Sequence, residues 1–216
     1  MQLAALPPLA LNEPRKLLVV IDLNGTLLHR PNRKQPSKFV ERPHARQFLA
    51  YCIDVFHVVI WSSAKQANVA SMCNQLLTPS QRKKVVAIWA RDKFGLTAAD
   101  FVARTQCYKR LHVLWADPIV AASHPDAASR GVTWSQQDTV LIDDSMEKAR
   151  SEPHNLIEIP EFSSENAEVA DILPQVHDYI NECASQANVS SFIRERPFKA
   201  HATSQLQLGI LQQLES

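Results

Sequence analysis

Short, unbroken apolar runs dominate the hydrophobic pattern of the chain. Residues 16–22 (K-L-L-V-V-I-D) and 55–61 (V-F-H-V-V-I-W) lack the apolar-polar alternation of a half-exposed strand. Such runs are typical of strands that are buried on both faces, as in the centre of a parallel sheet. Similar runs at 85–89, 139–143 (T-V-L-I-D) and 155–159 predict three further strands.

Helical periodicity separates these runs. It is found after Arg42-Pro43, at residues 65–77 and at residues 171–184. The apolar run 55–61 ends at Ser62 and Ser63, which can cap the helix that follows at 65–77. The predicted buried faces are Phe48, Leu49, Cys52 and Ile53 in the first helix and Ile172, Leu173, Val176 and Ile180 in the last. Strands that alternate with helices predict an α/β fold with a doubly wound, mainly parallel central sheet.

A chain of 216 residues is expected to form one domain with modest appendages. We assign residues 16–184 to the domain, 1–15 to an N-terminal extension, and 185–216 to a C-terminal tail or helix. Within the domain, residues 115–137 are predicted to be an irregular insertion, because they include two prolines and a glycine. This insertion could be a lid or a partner-docking loop.

Two aromatic features allow alternative interpretations. Trp115 and Trp134 could line a proline or aromatic pocket, although buried core positions are the more frequent explanation for tryptophan. Residues 192–198 (F-I-R-E-R-P-F) are either a docking segment for a partner or part of an ordered last helix.

Charge and cysteine content narrow the function classes. Lys and Arg number 23 against 22 Asp and Glu, which gives no global reason to expect direct nucleic-acid binding. No apolar run approaches the ~20 residues that span a bilayer, so we expect no membrane span. The four cysteines form neither a C-x-x-C pair nor a secreted disulfide framework. Without a recognisable presequence, we expect a cytoplasmic or nuclear protein.

Chemically active side chains follow three of the predicted strands. Asp22, Ser62 and the pair Asp143-Asp144 stand where the strands end. The carboxyl ends of parallel strands meet at one edge of a sheet, so these residues are expected to converge. The alternatives are ordinary: a carboxylate that caps a turn, a helix cap at Ser62, and a solvated acidic turn at Asp143-Asp144.

The stretch Asp22-Leu23-Asn24-Gly25-Thr26 suits a nucleophile that must approach phosphorus closely, because a tight glycine turn follows the carboxylate. Asp143 and Asp144 offer the hard oxygen ligands that Mg²⁺ prefers. Lys109 could neutralise phosphoryl and carboxylate charge, with a surface lysine as the alternative.

The order Asp, Ser, Lys, Asp-Asp on successive strand ends resembles the haloacid-dehalogenase superfamily. The chain is similar to the branch of small carboxy-terminal-domain phosphatases, Dullard-type phosphatases and NLI-interacting-factor-like proteins. The segments that carry this resemblance are V-V-I-D-L-N-G-T-L-L (19–28), R-P-H-A-R-Q-F-L (42–49), V-V-I-W-S-S-A (58–64), Y-K-R-L (108–111) and V-L-I-D-D-S (140–145).

The resemblance implies a two-step hydrolysis through an aspartyl-phosphate on Asp22. It also implies a Mg²⁺ ion held by Asp22, the main-chain carbonyl of Asn24, and Asp143 or Asp144. The phosphoryl oxygens would be held by Thr26, Ser62, Ser63 and Lys109. Too little chain lies between Ser62 and Lys109 for a large cap domain. An open site favours phosphoserine or phosphothreonine in a protein or peptide over an enclosed metabolite.

Asn24 departs from the family pattern, which has an aspartate as general acid and base two residues after the nucleophile. An amide cannot exchange a proton near neutral pH, and general acid–base catalysis contributes about 10²–10⁴-fold. The chain is therefore either a weakened phosphatase, in which a substrate group, Asp92 or His29 could replace the acid, or a pseudophosphatase that binds peptides. Deamidation of Asn24-Gly25 to Asp-Gly is a third hypothesis.

Overall fold

The computed structural model describes residues 3–32, 35, 38–103, 105–163 and 171–201. Five parallel strands form a central sheet, and two short antiparallel strands form a second one. The strands are β1 (Leu18–Ile21), β2 (Leu28–His29), β3 (Val40–Glu41), β4 (His57–Trp61), β5 (Ala87–Trp89), β6 (Thr139–Asp143) and β7 (Leu156–Glu158). The order in the central sheet is β5-β4-β1-β6-β7, with every neighbouring pair parallel. All five predicted strands are present.

Nine α-helices surround the sheet in the described part of the chain. They are α1 (Ala45–Val55), α2 (Gln66–Leu76), α3 (Pro79–Lys84), α4 (Ala98–Val102), α5 (Leu111–Trp115), α6 (Pro118–Ala122), α7 (Ala127–Arg130), α8 (Ile172–Ala184) and α9 (Val189–Glu195). The buried faces predicted for α1 and α8 are confirmed.

Alternate residues of each central strand face two separate apolar cores. Val19 and Ile21 of β1 belong to the core under α1, α2, α8 and α9. Leu18 and Val20 belong to the opposite core, which contains residues of α5 and α6. The unbroken apolar run in β1 therefore reflects burial on both faces. The predicted α/β fold with a parallel sheet and helices on both faces is confirmed.

The predicted cap of α2 is wrong. The helix begins at Gln66 after Lys65, which makes no side-chain capping bond, so Ser62 and Ser63 lie too far upstream. The Ser62 hydroxyl instead accepts a 3.4 Å hydrogen bond from the main-chain N–H of Ala64.

Residues 115–137, predicted to be irregular, instead contain α6 and α7. Pro118 lies in the first turn of α6, where its missing N–H is tolerated. Gly131 ends α7 with a φ of 65°. Trp134 is 1% exposed in the second core, and Trp115 donates a 2.9 Å hydrogen bond to the Thr139 hydroxyl. The core explanation therefore applies to Trp134, and the partly buried Trp115 packs against the same core.

Residues 192–195 belong to α9, in line with the helical alternative for residues 192–198, and the helix ends at Glu195. Phe192 and Ile193 of α9 are buried in the first core. The N-terminal extension packs beside them, since Ala187 donates its main-chain N–H to the Leu9 carbonyl at 2.8 Å. Residues 202–216 of the predicted tail lie outside the described residues.

Among the described residues, none of the helices combines the length and apolar character that crossing a membrane would require. All four cysteines are buried as free thiols.

Candidate active site

Three acidic side chains converge at the carboxyl edge of the sheet. Asp22 directly follows β1, Asp143 is the last residue of β6, and Asp144 follows it. Because β1 and β6 are neighbours, the Asp22 main-chain N–H donates to the Ile142 carbonyl at 3.0 Å. One carboxylate oxygen from each of the three aspartates lies within 4.8 Å of the others. The sequence predicted this convergence from the order of the strand ends.

Lys109 neutralises part of this acidic cluster from within the protein. Its side chain is 0% exposed, which excludes the surface-lysine alternative. The ammonium group donates to Asp22 Oδ1 at 2.8 Å and to Asp143 Oδ2 at 2.6 Å. Its main-chain N–H is fixed by a 2.7 Å bond to the carbonyl of Lys148. A buried ammonium needs such partners, since an unpaired buried charge is very costly.

Lys148 is a second cation at the site, and the sequence reasoning missed it. It lies in the 3₁₀ helix Met146–Ala149. Its Nζ is 3.3 Å from Asp22 Oδ2, 3.0 Å from Asp143 Oδ1 and 3.1 Å from Asp144 Oδ1. The only signal in the sequence was its position four residues after Asp144.

The electrostatic environment of Lys148 favours its charged form. Burial opposes the charge, but the negative charges of Asp22, Asp143 and Asp144 and the hydrogen bond to Asp143 outweigh that effect. The pKa of Lys148 is therefore raised above its ordinary value.

The turn after Asp22 requires glycine for two reasons. Gly25 has a φ of 91°, a conformation that other residues adopt only with strain. A Cβ at this position would lie 2.5 Å from Asp144 Oδ2. Gly25 therefore allows Asp144 to approach the turn. Next to it, Thr26 is fully buried, and its hydroxyl has no hydrogen-bond partner within the described part of the chain.

Asn24 has a structural role in this turn. Its Oδ1 accepts a 3.0 Å hydrogen bond from the main-chain N–H of Arg30. Asn24 also forms an isolated β-bridge with Leu28, the first residue of β2. The amide therefore ties the segment after Asp22 to the β2–β3 hairpin.

Arg42 is a second residue whose contribution the sequence reasoning missed, although its R-P motif was noticed. Its buried guanidinium donates to the Thr26 carbonyl at 2.9 Å and to the Pro160 carbonyl at 2.7 Å. Arg42 thereby connects the turn after β1 to the segment after β7. Contacts of this kind hold the turn in one conformation.

Ser62 lies at the same edge, one strand away from Asp22. It directly follows β4 and is buried, and its main-chain N–H donates to the Trp89 carbonyl at 3.0 Å. Ser63 beside it is half-buried. The hydrogen bonds that Ser62 makes are to Trp89 and Ala64, so within the described residues it is held by the chain around it rather than by the acidic cluster.

The acidic cluster fits a small divalent cation. It offers carboxylate oxygens, the ligands that Mg²⁺ prefers. Three carboxylates face two ammonium groups, so the cluster retains negative charge that a further cation could neutralise.

Comparisons with known proteins agree with this geometry. A sequence model of the family described as NLI interacting factor-like phosphatase matches residues 17–190. An uncharacterised protein of Schizosaccharomyces pombe with an FCP1 homology domain is 34% identical over 201 residues, which cover 88% of this chain and 80% of the relative.

Similarity to solved structures is weaker. The essential RNA polymerase II CTD phosphatase Fcp1 superposes with a TM-score of 0.47 at 16% identity. That match covers 84% of this chain but only 51% of the Fcp1 chain, so this chain spans about half its length. An uncharacterised protein from Listeria monocytogenes gives a TM-score of 0.47 at 12% identity, covering 77% of this chain and 98% of the other.

The family match extends over most of the chain and includes Asp22, Lys109, Asp143 and Asp144. It confirms the resemblance drawn from the motifs and places the chain among the HAD-like phosphatases, which are phosphoric monoester hydrolases. The chain belongs to the NLI interacting factor-like phosphatase family.

Proposed function

We propose that this chain is a Mg²⁺-dependent phosphatase of the aspartyl-phosphate type, and that Asn24 weakens its acid–base catalysis. The proposal depends on one observation: Asp22 is 2% exposed, within reach of Asp143 and Asp144, and hydrogen-bonded to the fully buried Lys109. A carboxylate beside a fixed cation, at the end of a strand, is well placed to attack phosphorus.

In the first step, an oxygen of Asp22 forms a bond to phosphorus. The bond from phosphorus to the leaving oxygen breaks, and its electron pair stays with that oxygen. The ammonium of Lys109 stabilises the negative charge around phosphorus. Thr26, Ser62 and Ser63 are proposed to hold the phosphoryl oxygens. The unpartnered, buried hydroxyl of Thr26 supports this role.

Asp22, Asp143, Asp144 and the main-chain carbonyl of Asn24 are the proposed ligands of Mg²⁺. When bound, the metal would supply charge neutralisation at the phosphoryl group. In the second step, water attacks phosphorus and the phosphorus–oxygen bond to Asp22 breaks, which releases phosphate and restores the carboxylate.

Asn24 limits both steps. The leaving oxygen needs a proton and the attacking water must lose one, and an amide can do neither. The proton must come from the substrate, from solvent, or from another residue such as His29 or Asp92. Substrates with good leaving groups are therefore expected to react faster than phosphoserine.

We infer a protein or peptide substrate, phosphorylated on serine or threonine, because the described chain between Ser62 and Lys109 has no element large enough to enclose a small metabolite. Between Ser62 and Lys109, α2 and β5 pack in the two apolar cores, and α3 and α4 have only six and five residues, too few for a cap domain. A phosphorylated side chain on a protein could reach such an edge. This substrate class agrees with the proposed cytoplasmic or nuclear location.

A peptide-binding pseudophosphatase is the second candidate, and the hydrogen bond from Arg30 to the Asn24 side chain favours it. In this bond the side-chain oxygen of Asn24 serves the turn itself, a role that does not depend on proton transfer. A protein that only binds phosphorylated segments would keep the cluster and lose the acid.

The test is Mg²⁺-dependent hydrolysis of an aryl phosphate by the native chain, Asp22→Asn and Asn24→Asp. We expect slow turnover of the aryl phosphate by the native chain and none by Asp22→Asn. The gain in Asn24→Asp should be small for the aryl phosphate and reach about 10²–10⁴-fold when a phosphoserine peptide, with its poorer leaving group, is the substrate. Turnover by Asn24→Asp alone would support the pseudophosphatase. The absence of turnover in both would refute the proposed site.

Deamidation of Asn24-Gly25 is disfavoured in the folded chain. The reaction needs the Gly25 main-chain nitrogen to attack the Asn24 side chain. That N–H donates to the Leu28 carbonyl at 2.8 Å, and the Asn24 side chain accepts from Arg30. Peptide mass mapping of aged, folded protein should therefore find Asn24 unchanged.

A further inference from the structure

We propose that Lys148 and Mg²⁺ compete for the same three carboxylates. The Lys148 ammonium is a built-in counter-ion that holds the acidic cluster together without metal and is displaced when metal binds. This inference rests on the metal site of the proposed function and adds a residue that sets the affinity of that site.

The contacts of Lys148 define the competition. Its Nζ reaches Asp22 at 3.3 Å, Asp143 at 3.0 Å and Asp144 at 3.1 Å. These are the three residues whose oxygens are close enough to share one cation. A divalent ion bound by the same three carboxylates would lie next to the ammonium, and two cations at that separation repel each other strongly.

Lys109 is anchored more firmly than Lys148. Its side chain is 0% exposed, its contacts with Asp22 and Asp143 are 2.8 and 2.6 Å, and no contact joins it to Asp144 in the described structure. The Lys148 side chain is 17% exposed, so part of its flexible stem already borders solvent. Lys148 is thus the cation that can leave, whereas Lys109 remains with Asp22.

In the metal-free protein, Lys148 offsets part of the negative charge of the three carboxylates. Without it, three crowded carboxylates would have Lys109 as their one ammonium partner in the described structure, and like charges in one site repel. With it, two ammonium groups face the three carboxylates, so part of this repulsion is offset when no metal is bound. The cost is a weaker metal site, because Mg²⁺ must displace the ammonium.

Isothermal titration of metal-free protein with Mg²⁺ tests the competition. Lys148→Met should bind Mg²⁺ at least tenfold more tightly than the native chain, and its Tm in EDTA should be lower and recover on adding Mg²⁺. Lys84→Met is the matched control, because Lys84 forms an exposed ion pair with Asp54 at 2.8 Å. It removes the same charge and should leave the Mg²⁺ affinity unchanged.

Equal or weaker Mg²⁺ binding by Lys148→Met overturns the inference and leaves the metal site standing. Failure of all three proteins to bind Mg²⁺ refutes the metal site itself, and the inference with it.

A measurement on the native chain covers the case in which Lys148→Met does not fold. In NMR spectra of protein labelled with ¹³Cε-lysine, the signal that is missing from Lys148→Arg belongs to Lys148. The chemical shift of this signal should change when Mg²⁺ is added, and it should change more than that of Lys109. A Lys148 signal that stays in place while Mg²⁺ binds overturns the competition.

Discussion

Charged side chains are buried at both edges of the central sheet, but the two groups differ in their charge balance. At the carboxyl edge, Asp22, Asp143 and Asp144 face Lys109 and Lys148. These carboxylates outnumber the ammonium groups that contact them.

At the amino edge, the buried carboxylate of Asp138 accepts several hydrogen bonds. Asp138 directly precedes β6 and is buried. It accepts a 2.9 Å bond from the Arg15 guanidinium and a 2.6 Å bond from the main-chain N–H of Ser135. His124 lies 3.8 Å from it and packs edge-to-face against Trp134. Burial still raises the pKa of Asp138 above its ordinary value, against the effect of these partners.

The difference separates a structural cluster from a functional one. A buried carboxylate that serves only stability is surrounded by donors, as Asp138 is. At the carboxyl edge like charges are crowded together, an arrangement that weakens the fold and marks a site prepared for a ligand. The comparison leads to predictions in which stability and function respond differently at the two edges.

The largest effect is expected for Lys109→Met. The substitution leaves Asp22 and Asp143 buried without their shared cation, and breaking a buried ion pair costs about 3–5 kcal/mol. Urea unfolding in EDTA measures this loss. Lys84→Met, at an exposed pair, should cost about 1 kcal/mol or less. A similar small loss for Lys109→Met would show that the carboxyl edge is not under electrostatic stress.

Neutralising one carboxylate at each edge should affect stability at the amino edge and Mg²⁺ affinity at the carboxyl edge. Asp138→Asn should cost about 1–3 kcal/mol, because it weakens hydrogen bonds to a buried charged group, and should leave phosphatase activity unchanged. Asp144→Asn relieves like-charge repulsion, so metal-free stability should change by about 0.5 kcal/mol or less. Its Mg²⁺ affinity should fall instead.

The measurements for this pair are urea unfolding in EDTA and Mg²⁺ titration on the same preparations. Equal losses of stability in Asp138→Asn and Asp144→Asn would remove the distinction between the two edges.

Alanine substitutions at Gly25 and Gly131 should differ from each other by a smaller amount. Gly25→Ala and Gly131→Ala both place a side chain at positive φ, which costs about 1–2 kcal/mol. Gly131 has open space around it, whereas the new Cβ at Gly25 would displace Asp144. Gly25→Ala should therefore lose more stability and also Mg²⁺ affinity. Thermal unfolding with and without Mg²⁺ separates the two effects, and indistinguishable variants would contradict the close approach of Asp144.

The strands and the acidic residues could be predicted because their signals are local. An apolar run such as 139–143 ending in carboxylates predicts both a buried strand and the edge where its last residues lie. Lys148 could not be predicted in this way, since it reaches Asp22 only after the 3₁₀ helix turns it back over the edge. Arg42 similarly acts through Pro160, which is 118 positions away in sequence.

Residues 115–137 show how a local signal can mislead. Proline and glycine there predicted irregular structure, but Pro118 starts a short helix and Gly131 ends one. These residues interrupt long helices and also delimit short ones. The sequence alone does not distinguish these outcomes, because the packing of Val120 and Trp134 against the sheet decides which is stable.

The smallest expected effect is the pH dependence of the amino edge. Burial lowers the pKa of His57 below its ordinary value, and the charges of Lys16 and His124 lower it further. Below a pH of about 6.5 the unfolded chain therefore binds more protons at this position than the folded chain, so stability falls as the pH falls. His57→Phe, which can still pack on Trp134, should lose less stability between pH 7 and pH 5.5. Urea unfolding across this range measures the difference. If the unfolding free energy falls equally with pH in the native chain and in His57→Phe, His57 does not contribute to the acid sensitivity. If it falls less in His57→Phe while the Mg²⁺ affinity at pH 7 is unchanged, this acid sensitivity arises at the amino edge.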